Sequence, residues 1–95
     1  MAKIDVAALV FDDENEAKFK ANKVTVDEVQ EVWARWPRYY VNRAERRATH
    51  VMVGPTRRGK TLVVPIERWG STDLWRPTTA FAANPGQVSR YRSGK

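Results

Sequence analysis

Residues 54–61, GPTRRGKT, fill every defining position of the phosphate-loop pattern G-x-x-x-x-G-K-[ST], and LVVPIE follows at 62–67. That following segment decides what the chain can fold into. A phosphate loop binds phosphates because it runs from a strand into a helix whose N-terminal N–H groups point at the ligand. LVVPIE is β-branched and apolar, and Pro65 would break a helix in its second turn. The preceding run, RATHVMVG at 47–54, also reads as a strand, with Thr49, Val51 and Val53 on one face and Ala48, His50 and Met52 on the other. Gly54-Pro55 opens a turn and Gly59 supplies its positive-φ position. The pattern therefore reads as a hairpin tip that presents Arg57, Arg58 and Lys60. Length agrees: a βαβ unit takes about 30 residues, and 95 residues would hold few of them.

Upstream of Pro37 the periodicity is helical. DDENEAKFKANK (12–23) carries acids in its first turns and lysines near its end, which suits the helix dipole. Asp12 or Asp13 can cap it and Asn22 can stop it. TVDEVQEVWARW (25–36) begins with a Thr25/Glu28 capping box. It places Val26, Val29, Val32, Trp33 and Trp36 on one face. Trp33 and Trp36 read as core rather than as a base-stacking platform. KIDVAALVF (3–11) is either a strand or a packed lead-in. Downstream of Pro37, strands are expected at 38–42, 47–54, 60–67 and 72–81, with Pro77 weakening the last or placing it at an edge. Turns fall at NRAERR, GPTRRG and RWGS. A short helix is expected over 84–92, capped by Asn84 with Pro85 at its first position, and SGK is a tail. The expected fold is one α+β domain over residues 1–95. Two N-terminal helices pack on a four-stranded antiparallel sheet, and a short C-terminal helix follows.

Charge is divided along the chain. Net charge is +6, but residues 1–34 hold four Lys against eight acids, and residues 35–95 hold thirteen Lys or Arg against three acids. A basic face built by the C-terminal part suits a polyanion. There are no cysteines, so a disulfide framework and a thiolate zinc site are excluded. No metal cluster or Ser/His/Asp triad is legible, and no cofactor is expected. No stretch approaches the ~20 apolar residues of a membrane span, and VAALVF (6–11) is too short for a signal-peptide core. A soluble cytoplasmic protein is the expectation.

The order of elements and several motifs resemble the BrnT-like toxins, small ribonucleases of the RelE superfamily from type II toxin–antitoxin modules. Phe11-Asp12, Asn15 and Val24 to Val29 match their opening motif. VMVGPTRRGKTLVVPI is similar to their hairpin, RPTTAF to their R-x-(I/V)-(T/S)-A-R strand, and SRYR to their terminal R-R-x-Y. The resemblance runs over residues 9–92. The chain departs from it where Asn22 replaces a His, Phe81 replaces an Arg, and Gln87, Val88 and Ser89 replace the final-helix E-R-R.

Such a resemblance implies metal-independent RNA cleavage that inhibits translation. The 2′-hydroxyl attacks in line, Arg or Lys steadies the phosphate, and a proton-transfer group acts on the leaving oxygen. The candidates for that chemistry are Arg47, His50, Glu67 and Arg76. Candidates for RNA contact are Arg57, Arg58, Lys60, Arg68 and Arg90. Arg47, His50, Lys60, Glu67, Arg68 and Arg76 are expected to gather on one sheet face. His50 is alternatively a strand residue satisfied by a backbone carbonyl, and Glu67 an ion-pair partner of Arg68 or Arg76. The implied partners are RNA or ribosome-associated mRNA and a cognate antitoxin or host protein, with no membrane. Because the departures fall on expected RNA-contact positions, a non-catalytic relative that binds a host protein or RNA stands beside the toxin. A DNA-binding regulator is a third reading, with no helix-turn-helix to support it.

Overall fold

The computed structural model of the chain describes residues 3–70 and 73–93. The elements run β1 (Ala8–Leu9), α1 (Asp13–Ala21), α2 (Val26–Ala34), β2 (Arg38–Val41), β3 (His50–Pro55), β4 (Thr61–Arg68), β5 (Leu74–Pro77), β6 (Phe81–Ala82) and α3 (Pro85–Ser93). The start of the strand expected at 72–81, part of the RWGS turn and the end of the SGK tail lie outside the described residues.

The α+β class holds, but the sheet is larger and of a different kind than expected. It has six strands in the order β1-β5-β4-β3-β2, with β6 also on β4. β1 pairs parallel to β5 while every other pairing is antiparallel. The lead-in at 3–11 thus supplies a sheet margin, through Ala8 and Leu9 alone.

Two prolines explain why the expected strand at 72–81 is split. β5 ends at Pro77, opposite Ile66, and β6 resumes only at Phe81, opposite Val63. In an antiparallel strand the N–H and C=O of one residue point to the same side. The Pro65 carbonyl accepts from the Thr78 N–H at 2.9 Å, so the missing Pro65 N–H also faces the break between β5 and β6. A proline is tolerated in this central strand because its partner strand is interrupted there.

Both N-terminal helices start as their sequences direct. Asp12 and Asn15 exchange reciprocal side-chain-to-backbone bonds of 2.9 and 3.0 Å, and Asn22 is the C-cap. Thr25 and Glu28 make the second capping box. The layout of the helices differs from the expected pair packed side by side on the sheet. α2 lies across β3 and β4. α1 inserts Phe19 into the core and meets the sheet margin through Asn22 Nδ2, which donates to the Ala80 carbonyl at 3.0 Å.

Pairing register separates two sheet faces. His50, Met52 and Gly54 stand opposite Ile66, Val64 and Leu62, while Val51 and Val53 stand opposite Pro65 and Val63. The first face meets the helices. Met52, Leu62, Val64, Ile66 and Trp75 join Phe19, Val29 and Val32 in one buried cluster. Trp33 packs against that cluster, and its Nε1 donates to the Val6 carbonyl at 3.0 Å. Trp36 does not join it. It follows the C-cap Arg35 in the left-handed region, φ +56°, and is 91% exposed. The helix ends at Ala34, two residues short of Trp36 and so about half a turn, and Trp36 leaves the apolar stripe. Among the described residues, no helix is long and apolar enough to cross a membrane.

Candidate functional site

The phosphate-loop match is a hairpin tip. Thr56 N–H donates to the Lys60 carbonyl at 2.8 Å, Gly59 N–H to the Thr56 carbonyl at 2.9 Å, and Lys60 N–H to Thr56 Oγ1 at 3.2 Å. Arg57 N–H donates to Glu31 Oε1 at 3.0 Å. Four of the amides of this tip, those of Thr56, Arg57, Gly59 and Lys60, are thus engaged within the protein. Both motif glycines have local reasons. A Cβ at Gly54 would sit 3.3 Å from Pro37 and Val32, and Gly59 has φ +88°.

The second sheet face carries a groove of about 650 Å³. Its floor includes Val51, Val53, Val63 and Pro65, with the rings of Tyr40 and Phe81. Lys18, Arg43, Arg46, Arg47 and Arg90 line it, and no Asp or Glu does. The arginines arrive from two parts of the chain. Arg43, Arg46 and Arg47 come from the β2–β3 connection, whose start is set by Asn42 Nδ2 donating to the Ala48 carbonyl at 2.9 Å. Arg90 comes from α3, which begins with reciprocal Asn84–Gln87 bonds of 2.8 and 2.9 Å. α3 has no buried residue. It meets β2 through two crossed cation–π pairs, Arg90 over Tyr40 at 4.8 Å and Arg38 over Tyr91 at 5.7 Å.

Beside the groove, three of the four expected catalytic residues meet in one ion-pair network. Arg76 is the centre, with its side chain 4% exposed. It binds Asp12 through Nε at 2.6 Å and Nη2 at 3.0 Å, and lies 3.3 Å from Glu14 and 3.6 Å from Glu67. Glu67 is also gripped by Arg47, at 2.8 and 3.2 Å. Glu67 is therefore an ion-pair partner of Arg76, as one of its two sequence readings has it, and also of Arg47. The hydrogen bond from Arg76, followed by that from the Asn15 N–H, holds the Asp12 carboxyl below its usual range, and Asp12 in turn raises the Arg76 guanidinium.

The expected gathering on one sheet face is corrected by the register. His50 stands opposite Ile66, and Arg68 opposite Trp75, so both lie on the helix-covered face, whereas Glu67 and Arg76 face the other way. His50 packs edge-on against Trp75 with centroids 5.1 Å apart, and its Nδ1 is 2.9 Å from Thr49 Oγ1 rather than from a carbonyl. Burial first, and then the Arg68 charge, lower its pKa. Arg68 lies over the Trp75 ring at 4.8 Å and 3.6 Å from Asp73. Lys60, with Arg57 and Arg58, sits at the far tip of the hairpin, six β3 residues or about 20 Å from the Arg47 end. Of the five expected RNA contacts, Arg90 alone lines the groove.

Asp12 and Glu14 belong to the Arg76 network, whereas Asp12 is legible in the sequence as a cap and as part of the opening motif, not as a partner of Arg76. Arg43 and Arg46 are legible only as part of a turn. The signal available for them was three arginines in the five residues 43–47. No group of His, Cys, Asp or Glu suited to a metal ion occurs among the described residues. No protein-family model, curated protein or solved structure matches the chain.

Proposed function

We propose that this protein binds RNA in the groove of its second sheet face, as a non-catalytic relative of the BrnT-like toxins. The observation that carries the reading is the lining: five cationic side chains and no carboxylate, above an apolar and aromatic floor. Clustered Arg and Lys give sequence-independent attraction to phosphates. An apolar floor with two aromatic rings accommodates bases, which a purely electrostatic surface does not.

Binding without cleavage is favoured by how the expected catalytic groups are occupied. Arg76 is surrounded by Asp12, Glu14 and Glu67, so its charge is neutralised within the protein. His50 is on the opposite face. Phe81, which stands where the resemblance has an arginine, contributes a ring to the groove instead of a charge. One arrangement favours the ribonuclease reading. Arg47 is 66% exposed at the groove while holding Glu67, which is 14% exposed, and an Arg–carboxylate pair can serve as phosphate clamp and base.

Induced expression in bacteria, with growth followed and RNA ends mapped, separates these readings beside an in vitro titration with labelled RNA. RNA binding without growth arrest or new ends is the expected result. New ends that vanish in Glu67→Gln would replace the binding module with the toxin. Absence of RNA binding would remove both. Arg43→Ala/Arg46→Ala is the appropriate binding variant, because Arg76→Ala would strip three carboxylates of their shared partner.

A further inference from the structure

We infer that the groove takes single-stranded RNA, and that one unpaired base inserts between the Tyr40 ring and the Arg90 guanidinium while the β2–β3 arginines hold its flanking phosphates. This rests on the RNA-binding reading above and adds the class of RNA and the place where a base is held.

Three observations converge on Tyr40. Its ring lines the groove, and Arg90 already lies over that ring at 4.8 Å. Aromatic faces and guanidinium planes are the two surfaces on which proteins stack unpaired bases. Its hydroxyl is buried and makes no hydrogen bond among the described residues, so a donor and acceptor beneath the ring is left unused within the protein. The third observation concerns α3, which carries Arg90. A stacked base occupies about 3.4 Å on each side, so Arg90 must withdraw by roughly 2 Å to admit one. α3 buries no residue, and small displacements of such a helix disturb no core packing.

The phosphates have their own partners. Arg43 and Arg46 make no ion pair among the described residues and line the same groove. Arg47, also in the groove, is anchored to Glu67. A volume near 650 Å³ is that of a small-ligand cleft. It suits one or two nucleotide units and not the body of a duplex, whose bases are in any case stacked on each other.

The test is fluorescence anisotropy on the full chain, using ten-nucleotide oligo(U) and oligo(A), a ten-base-pair RNA duplex and inorganic polyphosphate. The expected result is at least tenfold tighter binding of the single strands than of the duplex. Tyr40→Leu should weaken the single strands by roughly 5- to 150-fold and leave polyphosphate unchanged, while Tyr40→Phe retains the stack. Arg90→Ala lies on a helix without buried residues and keeps the test valid should Tyr40→Leu unfold. It should weaken single strands more than polyphosphate. Equal affinity for single strand and duplex would overturn the inference and leave RNA binding standing. So would losses in Tyr40→Leu or Arg90→Ala that are the same for oligonucleotide and polyphosphate. Failure of every RNA to bind would overturn the RNA-binding reading itself.

Discussion

The two faces of this sheet are made by the same strands and do opposite work. On one, Met52, Leu62, Val64, Ile66 and Trp75 are shut beneath α1 and α2. On the other, Val51, Val53, Val63 and Pro65 alternate with them and form the floor of an arginine-lined groove. Apolar residues on both faces of a strand ordinarily mean two covering layers. Here the second face is covered less fully, by the β2–β3 connection, Lys18 of α1 and α3, a helix with no buried residue. The same alternation of side chains therefore gives stability on one face and a candidate binding surface on the other.

Substitutions should divide along that line. Trp75→Ala removes a large side chain that is 1% exposed, and a loss of ~3–5 kcal/mol is expected, measured by chemical denaturation. A loss under 1 kcal/mol would mean that the helix-covered face is not the principal core. Arg76→Ala comes next. Breaking a fully buried pair costs ~3–5 kcal/mol, but Asp12 and Glu14 keep contact with water, so about 2 kcal/mol is expected. Since Asp12 is held below its usual range by Arg76, this ion-pair stability is present at neutral pH. It is lost as pH falls through the lowered Asp12 value, and Arg76→Ala should flatten the acid limb of the pH–stability curve.

Trp36→Gly should act in the other direction, raising stability by ~0.5–1 kcal/mol. It relieves a bulky residue at φ +56° where glycine is favoured after a helix C-cap. A thermal melt that falls instead would reveal packing that the 91% exposure denies. His50 gives a gentler effect. Its folded pKa lies below its ordinary value, so the neutral form is preferred in the fold. Stability contributed by His50 is complete above the unfolded value near 6.5. It declines as pH falls from there through the folded value. An NMR titration with its midpoint at or above 6.5 would contradict the packing against Trp75. Last, Arg43→Ala/Arg46→Ala should change stability by less than about 0.5 kcal/mol. It should reduce the salt slope of single-strand RNA binding by about 1.4, two phosphate contacts' worth. A large stability loss would erase the distinction between the faces.

Where the sequence was a sufficient guide, the determining interactions were local. Asp12 and Thr25 start helices through bonds to residues three positions away. Asn84 and Gln87 do the same. Pro65 ruled out a helix after Gly59, and the β3–β4 hairpin followed, with His50 and Val51 on the faces that the alternation assigned them. What lay beyond reach depended on partners distant in sequence. That β1 adds to β5 in parallel rests on register between residues 8–9 and 74–75. The split between β5 and β6 depends on Pro65 facing Pro77's end of the ladder. The separation of His50 from Glu67 and Arg76 followed from parity across three strands, which no single strand reveals.

The site divides in the same way. Composition and charge asymmetry pointed to a basic C-terminal part, and Arg47, Glu67 and Arg76 were identifiable as polar residues on strands or beside them. Sequence alone determined that the chain has capped helices, a hairpin in place of a phosphate loop, and an excess of arginine after residue 34. Only the tertiary structure decided which arginines face carboxylates and which face the groove. A guanidinium's role is set by the charges within a few ångströms of it. Those charges come from Asp12 and Glu14 at one end of the chain and Arg90 at the other, brought to the sheet by packing that no local rule contains.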